Sequence, residues 1–188
     1  MTFCANRDRY GRRSCFTELI GIRRLGGQTD ERYVVSVQPS PTITYRGFIP
    51  SDTDDLVALW EACGLTRTWI NSHDEIAIKA AEDPEGLMVA VASGNDQPAQ
   101  IVGSIMAGYD GHRGWINYLG VHPNWQRQGI ARELMRHAEA YLRARGAPKI
   151  NLQVRRGNDA VLAFYDQLGY VDDDVIGLGK RLEPEPDA

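Results

Sequence analysis

The segment Leu119-Gly120-Val121-His122-Pro123-Asn124-Trp125-Gln126-Arg127-Gln128-Gly129-Ile130-Ala131 has the residue types and spacing to hold an anion. An apolar strand feeds a turn, and the turn opens a helix through Gln126-x-x-Gly129-x-Ala131. The first amides of a helix lack carbonyl partners and lie at the positive end of its dipole, which favours a phosphate there. Gly129 permits close backbone approach, Ala131 leaves room beside the helix, and Arg127 adds a positive charge. The pattern lacks both the Gly-Lys-Ser/Thr of a triphosphate-binding loop and the third glycine of the dinucleotide fingerprint. Metal chemistry is not expected: Cys4, Cys15 and Cys63 have no C-x-x-C spacing, and the four histidines form no H-x-x-x-H pair. Sparse, odd-numbered cysteines fit a reducing cytoplasm better than a disulfide framework.

The elements that must position this segment follow from periodicity. Ile43 to Phe48 reads as a strand. A helix follows, capped by Asp52 or Thr53, with Leu56, Leu59, Trp60 and Cys63 as its apolar face and Gly64 as its stop. Ser72 and Glu75 have capping-box spacing, which predicts a second helix over 73–81. Leu87–Ala92, Ile101–Tyr109 and Trp115–Val121 read as an antiparallel meander. Ile130, Leu134, Ala138, Tyr141 and Leu142 then mark a long amphipathic helix that ends at Gly146. A strand at Lys149–Val154 and a helix from Asn158 carrying Val161, Leu162, Tyr165 and Leu168 come next, with two short strands near Leu182. The order β-α-α-β-β-β-α-β-α-β-β is an α/β arrangement of about 140 residues.

Residues 1–42 read differently, as a poorly structured extension carrying seven arginines against four acids. Residues 43–182 form the domain, and residues 183–188 read as a short acidic, disordered tail. With 43% hydrophobic and 24% charged residues the composition is that of a soluble globular protein. Beyond Thr42, 14 basic residues face 21 acidic ones, which argues against a nucleic-acid partner. No apolar run approaches the roughly 18 residues that would cross a membrane.

The run from Trp115 through Tyr170 resembles the GNAT superfamily of acetyl-CoA-dependent N-acetyltransferases, being similar to the small bacterial ribosomal-protein alanine acetyltransferases. The resemblance rests on Gln126-x-x-Gly129-x-Ala131, on Asn158-x-Ala160-x-x-x-x-Tyr165-x-x-x-Gly169-Tyr170, and on an opening Tyr45-Arg46-x-x-x-Pro50. It implies the GNAT fold: a mixed central sheet of about seven strands, the fourth and fifth splayed apart, with about four helices. It also implies acetyl-CoA as co-substrate, with no metal. Backbone groups of Leu119, Gly120 and Val121 would hold pantetheine as an added strand. Amides of Arg127, Gln128, Gly129, Ile130, Ala131 and Arg132 would surround the pyrophosphate, and Asn158 would contact the pantetheine arm. An amide near Leu119 would stabilise the oxyanion, and Tyr165 would act as general acid toward the leaving thiolate.

On the acceptor side the resemblance points to Trp69, in the loop between the first two helices. Asp110 and His112 could join it, with a solvated hairpin turn as the competing reading. Relatives that acetylate protein N-termini place a glutamate where this chain has Gln153, and an amide cannot accept the amine proton. The expected activity is direct transfer of acetyl to a primary amine of a small molecule, peptide or protein. A catalytically idle coenzyme-A-binding module working through a protein partner is the alternative. A homodimer is compatible with the resemblance.

Overall fold

An unbroken apolar run such as Leu87–Ala92 demands cover on both faces. The computed structural model, which describes residues 41–67, 69–94, 97–180 and 182, supplies that cover. Chain order is β1 (Thr42–Gly47), α1 (Thr53–Ala62), α2 (Ser72–Glu82), β2 (Leu87–Gly94), β3 (Gln97–Tyr109), β4 (Gly114–Val121), α3 (Ile130–Ala144), β5 (Ile150–Leu152) and α4 (Asp159–Asp166). The sheet runs β1-β2-β3-β4-β5, antiparallel throughout except for the parallel β4–β5 pair. On one face, Leu87, Val89 and Val91 of β2 pack with Leu56, Leu59, Trp60 and Ile76 of α1 and α2. On the other, Ala90 and Ala92 pack with Ile130, Leu134, Met135, Ala138 and Leu142 of α3. Of the extension expected for residues 1–42, residues 1–40 lie outside the described residues, as does the tail expected for 183–188, while Thr42 already opens β1.

The α/β class and the helix count agree with expectation, and five strands form where about seven were expected. The two last strands are absent among the described residues: 171–180 has no regular structure, and Val171, Val175, Ile176 and Leu178 are exposed. The physical reason is local. Asp174 takes a left-handed φ of 52°, and its amide donates to Asp172 Oδ1 at 2.8 Å, so a turn breaks the run. Two caps also differ from expectation. Asn71, not Ser72, caps α2 by accepting from the His73 amide at 3.1 Å, and Ser72 is buried. Asp52 precedes α1 but spends its carboxylate on Arg46, at 2.6 and 2.9 Å, and on the Ile49 amide at 2.9 Å. That clamp fixes how β1 enters α1.

A second polar knot ties α2, β3 and α3 together. Lys79 Nζ donates to Asp83 Oδ2 at 2.6 Å and to the Ala107 carbonyl at 2.5 Å. Tyr141 donates its hydroxyl hydrogen to Asp83 Oδ1, and Arg145 Nη2 lies 3.1 Å from that same oxygen. Burial alone would raise the Asp83 carboxyl, but the hydrogen bonds from Lys79 and Tyr141 and the nearby positive charges outweigh it and hold it below its ordinary value. A carboxyl lowered in the folded state stabilises the fold above its unfolded pKa of ~3.9 and loses that contribution as pH falls through the folded value. Asp83→Asn should therefore melt below the wild type at neutral pH. The gap in Tm, followed by circular dichroism, should narrow as pH drops below about 4.

Candidate active site

β4 leaves Gly114 with strand partners on both sides and reaches Val121 with one. Ser104 pairs with Gly120 and Met106 with Asn117, so Tyr118 and Leu119 together oppose Ile105 in a β-bulge. The extra residue reverses the strand's parity. Ile116 packs toward α3 before the bulge, whereas Leu119 and Val121 do so after it. Tyr118 turns the other way and joins the α1–α2 cluster. Its φ of 49° is left-handed, a strain on the order of 1–3 kcal/mol for a bulky residue. Three contacts hold it there. The ring stacks on Trp60 at 3.9 Å, the carbonyl accepts from Ser104 Oγ at 3.1 Å, and the phenol donates to Glu75 Oε2. Ser104 in turn accepts from Trp60 Nε1 at 2.9 Å.

β4 and β5 pair only from Gly114–Ile150 to Ile116–Leu152, and then part. β5 is accordingly shorter than the expected Lys149–Val154, because beyond Leu152 no strand among the described residues pairs with it. The His122 amide donates to the Val102 carbonyl at 2.9 Å, so alternation turns the backbone groups of Leu119 and Val121 away from β3 and into the gap. Gln126 Nε2 takes the Val121 carbonyl at 3.2 Å and folds the following turn back against the strand end. Gly120 points at the end of α1: a Cβ there would lie 2.9 Å from Leu65 Cδ1 and 3.2 Å from Cys63 Sγ. Burial raises the Cys63 thiol, which makes it a poor nucleophile.

After the turn at Pro123–Trp125, Arg127 and Gly129 both take left-handed φ values, 60° and 84°. Such conformations aim successive N–H groups toward one concave side. Among the described residues, no backbone amide from Arg127 through Arg132 donates a hydrogen bond. The first helical bond runs from the Glu133 amide to the Gly129 carbonyl at 3.1 Å, and no side chain caps α3. Six consecutive free donors at a helix N-terminus fit a diphosphate. The structure thus brings together Gln126, Arg127, Gln128, Gly129, Ile130, Ala131 and Arg132, continuous with the open edge at Leu119 and Val121.

Asn158 precedes α4 and leaves its side chain uncommitted among the described residues, its backbone carbonyl accepting from Val161 and Leu162 at 3.1 Å. Tyr165 is buried edge-on between Phe164 and Tyr170, at 5.1 and 5.6 Å, and its hydroxyl has no partner among the described residues. Burial pushes its phenol up to about 12. On β5, Asn151 Oδ1 is buried without a hydrogen-bond partner among the described residues.

The three expected acceptor residues lie on two separate connections. Trp69 lies half-exposed in the α1–α2 connection. Asp110 and His112 occupy the β3–β4 hairpin, beside the closed end of the gap. The Asp110 carboxylate accepts from the amides of His112 and Arg113 at 2.7 and 2.6 Å and from Trp115 Nε1 at 2.9 Å. Those bonds, the Arg113 amide first, lower it to about 2 and commit it to the turn. Sequence reasoning missed Trp60, Ser104 and Tyr118 as a buttress under the gap. Glu75 carried a signal, its spacing from Ser72, that pointed to a cap instead of to Tyr118. Gly129→Val forces a β-branched residue into left-handed backbone. It should weaken pyrophosphate binding about tenfold or more by calorimetry, with the far-ultraviolet spectrum unchanged.

Residues 50–170 match the acetyltransferase (GNAT) family. An acetyltransferase of Yersinia enterocolitica is 47% identical over 137 residues, 73% of this chain and 94% of its own. Among solved structures, Ard1 of Thermoplasma volcanium is 25% identical with a TM-score of 0.57, covering 69% of this chain and 82% of that one. A chain of the NatC complex bound to Gag peptide and CoA shares the fold at 22% identity and a TM-score of 0.60, over 69% and 84%. The chain belongs to the GNAT family of acetyltransferases.

Proposed function

We propose that this acetyltransferase moves acetyl from acetyl-CoA to a primary amine of a small molecule, peptide or protein. The observation that carries the reading is the continuity of free backbone donors. An opened β4 edge at Leu119 and Val121 runs into the unpaired amides of Arg127–Arg132. A pantetheine arm laid along β4 replaces the missing strand, and the diphosphate falls on the α3 N-terminus. The CoA-bound relative supports the same co-substrate. Bound acetyl-CoA supplies the thioester carbon that the acceptor nitrogen attacks.

The chain's own groups do the rest. Arg127 adds positive charge at the turn, and the Asn158 amide steadies the pantetheine arm. The Leu119 N–H, turned into the gap by the bulge, donates to the oxygen that gains negative charge. Tyr165 faces the leaving sulfur. Complete proton transfer from a phenol near 12 to a thiolate of pKa ~8.5 is uphill by on the order of 5 kcal/mol. Its contribution is therefore a hydrogen bond to developing charge, with water delivering the final proton. Orientation of the amine against the carbonyl supplies much of the remaining rate.

With pooled amines and peptides of varied N-termini, the wild-type chain should release free thiol from acetyl-CoA. Tyr165→Phe should lower kcat by about 100-fold while calorimetry finds coenzyme A affinity unchanged. No coenzyme A binding by the wild type would overturn the reading.

A further inference from the structure

The strained tyrosine of the bulge does something the sheet does not require. A regular β3–β4 ladder needs neither the left-handed φ of Tyr118 nor its stack on Trp60. What these contacts accomplish is to hold a carboxylate from the opposite helix layer: Tyr118 donates to Glu75 Oε2 across 43 residues of sequence, where β4 and β5 separate. The second carboxylate oxygen of Glu75 has no hydrogen-bond partner among the described residues. Burial first, then the hydrogen bond and charge of Glu75, raises the Tyr118 phenol, so it stays protonated and keeps donating. The open positions of the pair, the second Glu75 oxygen and the phenol lone pairs, all accept hydrogen bonds. The pair is matched to an N–H donor.

We propose that Glu75 is the proton acceptor for the amine during acetyl transfer, with Tyr118 as its positioning residue; this rests on the acetyl-transfer reading above. A carboxylate is too weak a base to deprotonate an ammonium of pKa ~8 outright. The acceptor therefore arrives at the carbonyl as the free amine, having lost its first proton to water. As the C–N bond forms, the nitrogen becomes positive and its two protons acidic; one passes to Glu75 and the other stays on the amide. The C–S bond then breaks, its electron pair leaves on sulfur with a hydrogen bond from Tyr165, and water protonates the thiolate. Glu75 returns its proton to solvent, so one ammonium and one thioester become one amide, one thiol and one released proton.

The charged groups around the pair leave Glu75 free for this role. Arg67, on the α1–α2 connection, is the positive charge that acts on Tyr118. On α2 itself, Lys79 is committed to Asp83 and the Ala107 carbonyl, and His73 lies 3.3 Å from Asp54 of α1. Asp74 precedes Glu75 on the helix, and β4 faces it with the neutral phenol.

Glu75→Gln keeps an acceptor for the Tyr118 hydroxyl and removes only the ability to take a proton. Glu75→Gln should lower kcat about 100-fold. Expressed per free amine, the acid limb of the wild-type kcat/KM profile should disappear, with Tm and coenzyme A affinity unchanged. Tyr118→Phe keeps the stack on Trp60 and should shift that limb while lowering kcat less. Wild-type turnover and an intact acid limb in Glu75→Gln would overturn the proton-acceptor role alone. So would a loss of rate that merely tracks a loss of Tm. Failure of the acetyl-transfer reading looks different, because the wild-type chain would then bind no coenzyme A; that result overturns both.

Discussion

Backbone hydrogen bonds are obligatory, and in this domain one strand is denied them. Among the described residues, β4 beyond Ile116 has a partner on its β3 side and none on its β5 side, and the deficit continues through the turn into the first amides of α3. Unpaired N–H groups in a protected groove are costly unless something fills them. The rest of the architecture reads as the means of keeping that groove open. Helices on both faces hold the sheet from above and below, so β5 does not have to close on β4 to bury its apolar residues.

The buttress under the groove links distant parts of the chain. Trp60 comes from α1, Ser104 from β3, Tyr118 from β4 and Glu75 from α2, and each completes another's hydrogen bond or stack. None of the four would hold its position alone. Tyr118 in particular would relax to an ordinary extended backbone without the indole beneath it. Gly120 adds a steric condition, since the end of α1 at Cys63 and Leu65 occupies the space a side chain would need.

Most of the scaffold was legible from residue patterns. The two-faced apolar run of β2, the stripe along α3 and the glycines that end α1, α3 and α4 identify those elements with small shifts in their bounds. The turn that opens α3 was legible too, because Gly129 acts through local backbone geometry. What was hidden depends on register. Nothing in the order Ile116-Asn117-Tyr118-Leu119 marks an inserted residue, because apolar and polar types alternate plausibly in either phase. The clamp between Arg46 and Asp52 and the bond between Tyr118 and Glu75 were hidden for a related reason: a carboxylate near a helix start reads as a cap until its tertiary partner is known. The last strands failed because three successive aspartates and a left-handed Asp174 turn an otherwise strand-like run.

The bulge sets a phase for everything downstream of it. Deleting one residue at Tyr118–Leu119 would give β3 and β4 a more regular ladder and a less strained backbone. It would also rotate Leu119 and Val121 half a turn, so that their backbone groups met β3, their side chains left the α3 face, and the peptide groups of their neighbours met the gap instead. A regular ladder and the present phase of Leu119 and Val121 are thus opposed outcomes separated by a single codon. In this domain the less perfect ladder is the one that aims the backbone groups of Leu119 and Val121 at the gap.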